Sequence, residues 1–355
     1  MPSSLRPVLI ALLLAALLFA ALPPAASAPA QGGESALESG AVVLMYHRFG
    51  EGQYPSTSIR LEQFRAHLRA LQQPPYTVLP VPEIVAALRE GRALPPYAVG
   101  ITIDDAYRSI YTEAWPLLRA APLPFTVFVA TDAVERGFRD LMNWQQLREL
   151  VDSGLVTLGN HSATHPHLAD ARRARVRAEL ELAGRRIEQE TGQRPTLLAY
   201  PYGEYSTVVR KVAEELGFAA AFGQHSGAIG PGMDLLTLPR YALNEHYGEP
   251  ERFKLVIDSL PLPVRDAIPP DMLLSSQNNP PLFGFTVAED VGGLERLTCY
   301  VSGQGALVLK RIGARRVEGR PGQPFPPGRS RINCTLPGPQ GRWRWYGVQF
   351  YLPGS

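Results

Sequence analysis

Between residue 41 and about residue 259, short apolar, β-branched runs alternate with stretches of helical period. No other feature constrains the fold as tightly. The strand-like runs fall at 41–46, 97–103, 125–130, 155–158, 196–200, 218–222 and 235–238. Between them lie helical patterns such as Leu61, Phe64, Leu68 and Leu71, with His67 on the polar side and therefore read as solvated. Strands separated by helices run parallel, because each helix carries the chain back across a face of the sheet. A closed or nearly closed barrel is the expected arrangement, with an open doubly wound sheet as the second choice.

In parallel α/β sheets, binding and catalytic groups collect at the carboxyl ends of the strands. Asp104, Asp105, His161, Pro201, Tyr202, His225 and Arg240 all stand just after predicted strands, and His47 ends the first one. In Ile103-Asp104-Asp105, neighbouring carboxylates at a strand end diverge, so one can ligate a metal while the other faces a water as general base. His161 and His165 are four apart, and one helical turn would bring both imidazoles to the same side. That spacing suits two ligands of one metal, with a carboxylate as the third and an open position left for water. On spacing alone, one of the two could equally cap loop carbonyls.

The chain has 355 residues, 45% of them apolar, and a formal net charge of +2. A core is assured, and no basic field invites nucleic acid. Arg6 precedes an apolar run over 8–22, which Pro23-Pro24 ends. Ala28-Pro29-Ala30 supplies small residues for cleavage, ahead of Ala26-Ser27-Ala28. Residues 1–30 are thus expected to be a signal peptide, leaving no stable membrane span and a periplasmic or secreted protein. Residues 31–40 read as a flexible leader. Cys299 and Cys334 are the only cysteines, and an oxidising compartment favours a disulfide between them. Residues 261–279 are Pro-rich and read as a linker. Residues 280–355 lack helical period and carry short β-like runs, which suggests a small sandwich-like domain. Trp343 and Trp345 would share one face of a strand there, either packing its core or stacking on a glycan.

Three ordered motifs resemble the polysaccharide deacetylases of carbohydrate esterase family four. Thr102-Ile103-Asp104-Asp105-Ala106-Tyr107 is similar to Thr-Phe-Asp-Asp-Gly. His161-Ser162-Ala163-Thr164-His165-Pro166 matches His-Ser/Thr-x-x-His-Pro in full. Ala199-Tyr200-Pro201-Tyr202-Gly203 matches the tail of Arg-x-Pro-Tyr/Phe-Gly. Met45-Tyr46-His47 and Asn143-Trp144 also look like stretches found in secreted members. The resemblance covers residues 41–257 and makes 41–260 the catalytic domain. It implies a distorted (β/α) barrel with fewer than eight strands. It also implies Asp104 as general base, Asp105, His161 and His165 as ligands of a divalent metal, and the Tyr202 N–H as oxyanion donor. Pro201, Tyr202, His47 and Trp144 would line the substrate. The metal implied is Zn²⁺, with Co²⁺, Ni²⁺ or Mn²⁺ as substitutes, and the reaction is removal of acetyl groups from an N-acetylated glycan.

Three departures qualify the match. Ala106 stands where the family has Gly. Ala199 stands where it has an Arg that pairs with the base, and Arg240 is the expected substitute from another strand end. The family's late Leu-x-His, source of its general acid, has no counterpart. His225, set among small residues after a strand, is the expected acid, with His47 as its competitor and His246 behind both. A catalytically silent glycan-binding protein and a structural export factor are the alternative functions. Peptidoglycan, chitin fragments and poly-N-acetylglucosamine all remain open as the glycan.

Overall fold

The computed structural model describes residues 39–289 and 291–354. The expected signal peptide and nearly all of the leader lie outside the described residues. Among the described residues, no helix is long and apolar enough to cross a membrane.

The central sheet is parallel throughout. Its strand order is Tyr241–Ala242, Ala41–Tyr46, Ala98–Asp104, Phe125–Val129, Val156–Asn160, Leu197–Ala199 and Ala220–Phe222. A short Thr77–Val78 strand also pairs with Ala98–Asp104. Ala41–Tyr46, Ala98–Asp104 and Phe125–Val129 are buried along their whole lengths, as strands covered on both faces must be. Val42, Leu44 and Tyr46 pack into one core and Ala41 and Val43 into another. This is a distorted (β/α) barrel with fewer than eight strands in its main path.

The expected strand at 235–238 shrinks to one parallel bridge, between Leu238 and Phe222. The physical reason is that this segment has to cross the unclosed side of the barrel. Leu238 touches the edge strand Ala220–Phe222, and Tyr241–Ala242 pairs with Ala41–Tyr46 at the opposite edge. Arg240 lies between the two attachments.

His67 is not solvated. It is fully buried on the helix Leu61–Leu71, because the Pro250–Ile257 helix covers that side. Its ring stacks on Phe253 at 3.7 Å. Its Nδ1 meets the Tyr46 hydroxyl at 3.0 Å and its Nε2 meets Gly248 O at 2.8 Å.

A β-rich region follows. One sheet runs in the order Leu260–Pro261, Trp343–Leu352, Gly328–Pro337, Thr298–Val301 and Gly305–Ala306. The other runs Val264–Ile268, Phe283–Val287, Arg316–Gly319 and Lys310–Ile312. They share a core that includes Phe283, Phe285, Ile332 and Phe350. Cys299 and Cys334 face each other on neighbouring strands and form a disulfide. The segment read as a linker is partly strand: Val264–Ile268 pairs with Phe283–Val287, and Leu274 N–H bonds to Tyr351 O at 2.8 Å. Prolines at its edges are compatible with pairing, since an edge position can do without one ladder donor.

Burial lowers the His67 pKa to about 4, against the hydrogen bond to Gly248, which raises it. The folded state therefore binds fewer protons than the unfolded state between that value and about 6.5. Stability contributed by this residue is present above pH 6.5 and is lost as pH falls toward 4. The full loss is on the order of 3 kcal/mol. Urea unfolding at pH 7 and pH 4.5 should show this decline in the wild type and a shallower one in His67→Gln. Equal declines would rule out a neutral buried imidazole.

Candidate metal centre and flanking groups

The three motif loops meet at the carboxyl ends of neighbouring strands. Asp104 is the last residue of Ala98–Asp104 and is fully buried. Asp105 and Ala106 then take left-handed backbone conformations, with φ of 73° and 56°. That turn separates the two carboxylates. Burial pushes the Asp105 carboxyl up. The neighbouring imidazoles of His161, His47 and His165 outweigh this and hold it well below the ordinary range.

His161 follows the strand Val156–Asn160. Its Nδ1–H donates to Ala199 O at 2.8 Å, which leaves the Nε2 lone pair free. Residues 161–165 do not form the expected helical turn. They form a loop in which Ser162 and His165 have φ of 62° and 54°. Asn160 fixes it by donating to Leu180 O at 2.8 Å and accepting from Ser162 N–H at 2.8 Å. Glu179 accepts from both Thr164 N–H and Thr164 Oγ1, each at 2.8 Å.

The outcome is a triangle of donor atoms. His161 Nε2 and His165 Nε2 lie 3.2 Å apart, and Asp105 Oδ1 lies 3.4 Å and 3.5 Å from them. A tetrahedral Zn²⁺ with bonds of about 2.0–2.1 Å places its ligand atoms about 3.3–3.4 Å apart, so the triangle fits such an ion. Burial, and after it the neighbouring His161, lower the His165 pKa to about 4, so its imidazole can serve as a neutral lone-pair donor. Asp105, His161 and His165 can therefore hold a divalent cation.

Asp104, next to the triangle in sequence, is paired with Arg240. Arg240 Nη1 donates to Asp104 Oδ1 at 2.7 Å, and Nη2 donates to Oδ2 at 2.8 Å. Both side chains are fully buried. Nη1 also donates to Thr102 Oγ1 and Nε to Gly223 O, each at 3.0 Å. Burial alone would raise the Asp104 pKa; Arg240, then His161 and His47, bring it below the ordinary value.

His47 and His225 are placed very differently. His47 Nε2 lies 3.9 Å from Asp104 Oδ2, at the site. His225, the expected acid, makes no hydrogen bond or ion pair with Asp104, Asp105, His161 or His165 among the described residues. It lines a separate cavity of about 400 Å³ with Tyr205, Thr237, Pro239 and Trp345. Its charged neighbours are Arg331 and Arg240, and burial brings its pKa to about 4. The small residues around it serve Arg240 instead. Gly223 O receives the side chain, and His225 O receives the Arg240 N–H at 3.0 Å.

Pro201, Tyr202 and Gly203 form a tight turn with Tyr202 at φ 58°. A Cβ on Gly203 would stand 2.4 Å from Gln224, so only Gly fits there. Pro201 is buried in the turn. The Tyr202 ring sits edge-on to His165 at 4.5 Å. Trp144 opens the helix Trp144–Asp152, packs partly against the barrel core, and encloses its Nε1 without a partner. Trp345 packs edge-on to Tyr241 at 5.4 Å, while Trp343 is exposed.

Two groupings had little signal in the sequence. His167 Nδ1 lies 2.6 Å from Glu204 Oε2, and its ring is sandwiched between Tyr202 at 4.3 Å and Tyr351 at 5.3 Å. Arg48 stacks on Tyr107 at 3.5 Å and Tyr54 at 4.2 Å, beside Asp105, while pairing with Glu51 and Asp140. Only Glu204 directly following the third motif hinted at the first grouping.

Residues 91–221 match the polysaccharide deacetylase family. YxkH of Bacillus subtilis strain 168 is 24% identical over 198 residues, covering 56% of this chain and 69% of that protein. The poly-β-1,6-N-acetyl-D-glucosamine N-deacetylase of Staphylococcus aureus strain MRSA252 is 22% identical over 233 residues, covering 59% of this chain and 80% of that protein. The Streptococcus pyogenes deacetylase PplD, solved in complex with acetate, superposes with a TM-score of 0.57 at 22% identity, covering 61% of this chain and 98% of that one. At that identity the structural likeness is one of fold. The segment that matches the polysaccharide deacetylase family thus carries the Asp104-Asp105, His161–His165 and Pro201–Gly203 loops of the barrel.

Proposed function

We propose that this chain is a divalent-metal-dependent hydrolase that removes acetyl groups from an N-acetylated polysaccharide of the poly-β-1,6-N-acetylglucosamine class. The observation that carries the reading is the Asp105–His161–His165 triangle standing beside a carboxylate, Asp104, that Arg240 keeps ionised. The glycan class comes from the Staphylococcus aureus relative. Residues 41–260 would be the catalytic domain and 280–355 a smaller β-rich domain. Residues 1–30 would direct export to the periplasm or exterior, in keeping with the Cys299–Cys334 disulfide.

A divalent cation, Zn²⁺ by the donor set, would polarise the acetyl carbonyl and acidify a water at the site. Asp104 takes the proton from that water as it adds to the amide carbon. The Tyr202 N–H donates a hydrogen bond to the developing oxyanion. His47, close to Asp104, delivers a proton to the nitrogen as the C–N bond breaks. The products are acetate and a free amine on the sugar. Arg240 holds Asp104 as a carboxylate against the pull of burial, so the base is ready at neutral pH.

Acetate release from poly-β-1,6-N-acetylglucosamine should be abolished by a chelator and restored by Zn²⁺. A zinc-restored protein that releases no acetate from this glycan, peptidoglycan or chitin oligomers would instead point to a silent glycan-binding role. His47→Ala should lower turnover by about 10²–10⁴-fold, the range for loss of a general acid. His225→Ala should cost far less, and the reverse ranking would overturn the assignment. In Arg240→Lys, with weaker pairing, burial gains weight and raises the Asp104 pKa. The acidic limb of kcat/KM should then move to higher pH. Arg240→Met should move it further where the protein still folds, since breaking a buried pair costs about 3–5 kcal/mol. An unmoved limb in Arg240→Lys and in folded Arg240→Met would exclude Arg240 as the group that sets the base.

A further inference from the structure

The C-terminal β region reaches back to the deacetylase motif that holds Tyr202. Gln349 on the strand Trp343–Leu352 is 2% exposed, and its Nε2 donates to Tyr202 O at 3.0 Å. Arg329, at the start of the strand Gly328–Pro337, lies 3.5 Å from the same oxygen through Nη1. Its guanidinium stands 5.6 Å from the Tyr202 ring centre, and its Nε lies 3.8 Å from Glu204 Oε1. Tyr351 closes the outer side of the His167 sandwich. These three side chains belong to one patch of sheet. Gln349 and Tyr351 are two apart on one strand and so point the same way, and Arg329 is directly opposite Tyr351.

Tyr202 needs such support. A non-glycine residue at φ 58° sits in a sparsely populated well and relaxes by rotating its flanking peptides. The peptide after Tyr202 is held at both ends. Its N–H, from Gly203, bonds to Tyr200 O at 2.8 Å, and its carbonyl oxygen receives Gln349. The turn's own bonds use the N–H groups of Gly203 and Glu204, leaving the Tyr202 N–H outside them. Rotation of the held peptide would swing the Tyr202 carbonyl away from Gln349 and strand a buried amide, which is costly.

We propose that Gln349, assisted by Arg329, is a positioning residue for deacetylation: it locks the left-handed Tyr202 backbone and so aims the Tyr202 N–H at the oxyanion. The inference rests on the deacetylase reading above and gives the β region a part in the chemistry. An oxyanion donor is worth about 10²–10³-fold in turnover when removed, so misaiming it should cost about 10-fold.

The test uses the full chain with Zn²⁺. Gln349→Met keeps the length and removes the donor. It should lower kcat about 10-fold, leave KM within about twofold, and retain metal content and thermal midpoint. Gln349→Glu should recover activity relative to wild type as pH falls, because only the protonated carboxyl can donate to Tyr202 O. With ¹⁵N-tyrosine labelling, exchange of the Tyr202 amide should quicken in Gln349→Met. An unchanged kcat with unchanged amide exchange would overturn the proposal, as would a kcat loss explained by lost metal or a lowered midpoint. A wild type that releases no acetate would defeat the deacetylase reading alone. The exchange measurement would then still decide whether Gln349 holds Tyr202.

Discussion

Two opposite charges, Arg240 and Asp104, face each other in the interior with two matched hydrogen bonds and no solvent. Neither would be tolerated there alone, because an unpaired buried charge loses its hydration with nothing in return. Asp104 ends a strand in the middle of the parallel sheet. Arg240 belongs to the segment that crosses the barrel's open side. Their pairing therefore ties the crossing segment to the centre of the sheet. Thr102 and Gly223 satisfy further donors of the guanidinium, so its position is overdetermined. Ala199 stands where the third motif's resemblance leads one to expect an arginine, and Arg240, more than 40 residues later in the chain, makes a bidentate pair with Asp104.

Around that pair, the backbone carries strain where the chemistry would occur. Of the eight described non-glycine residues with positive φ, five belong to the motif loops: Asp105, Ala106, Ser162, His165 and Tyr202. Each such conformation costs about 1–2 kcal/mol and persists only where neighbours hold it. The holders are identifiable. Met142 N–H bonds to Ala106 O at 2.9 Å, and the Asn160 and Glu179 side chains brace the histidine loop. Ala106 departs from the family's glycine at a position that does require positive φ. Its methyl is fully buried, so part of the conformational cost is offset by packing.

Much of this was legible in the chain. Alternating β and helical periods led to a parallel barrel because that pattern has few other solutions. The strand-end rule grouped Asp104, Asp105, His161, Tyr202 and Arg240, since local β-branched runs announce their own ends. What failed depended on tertiary partners. His67 looked solvated because its own helix cannot report that Phe253 covers it. His225 looked catalytic because a histidine among small residues after a strand fits a site as well as it fits a cradle for Arg240. The left-handed turn at 161–165 brings the two imidazoles together as a helical turn would, so their grouping was legible and the local geometry was not. Gln349 was invisible, being an ordinary amide on a strand whose contact lies in another part of the chain.

The Tyr202–Gln349 hydrogen bond joins residues 147 positions apart. Asp105, His161 and His165, by contrast, lie within the span that folds as the barrel. A chain emerging in order could thus assemble its cation-binding triangle well before the strand Trp343–Leu352 exists to brace Tyr202. Non-local pairings of this kind form late, because a long loop must close first. The two features thus differ in reach: the donor triangle is closed within the barrel, while the brace on Tyr202 waits for the sheet that closes behind it.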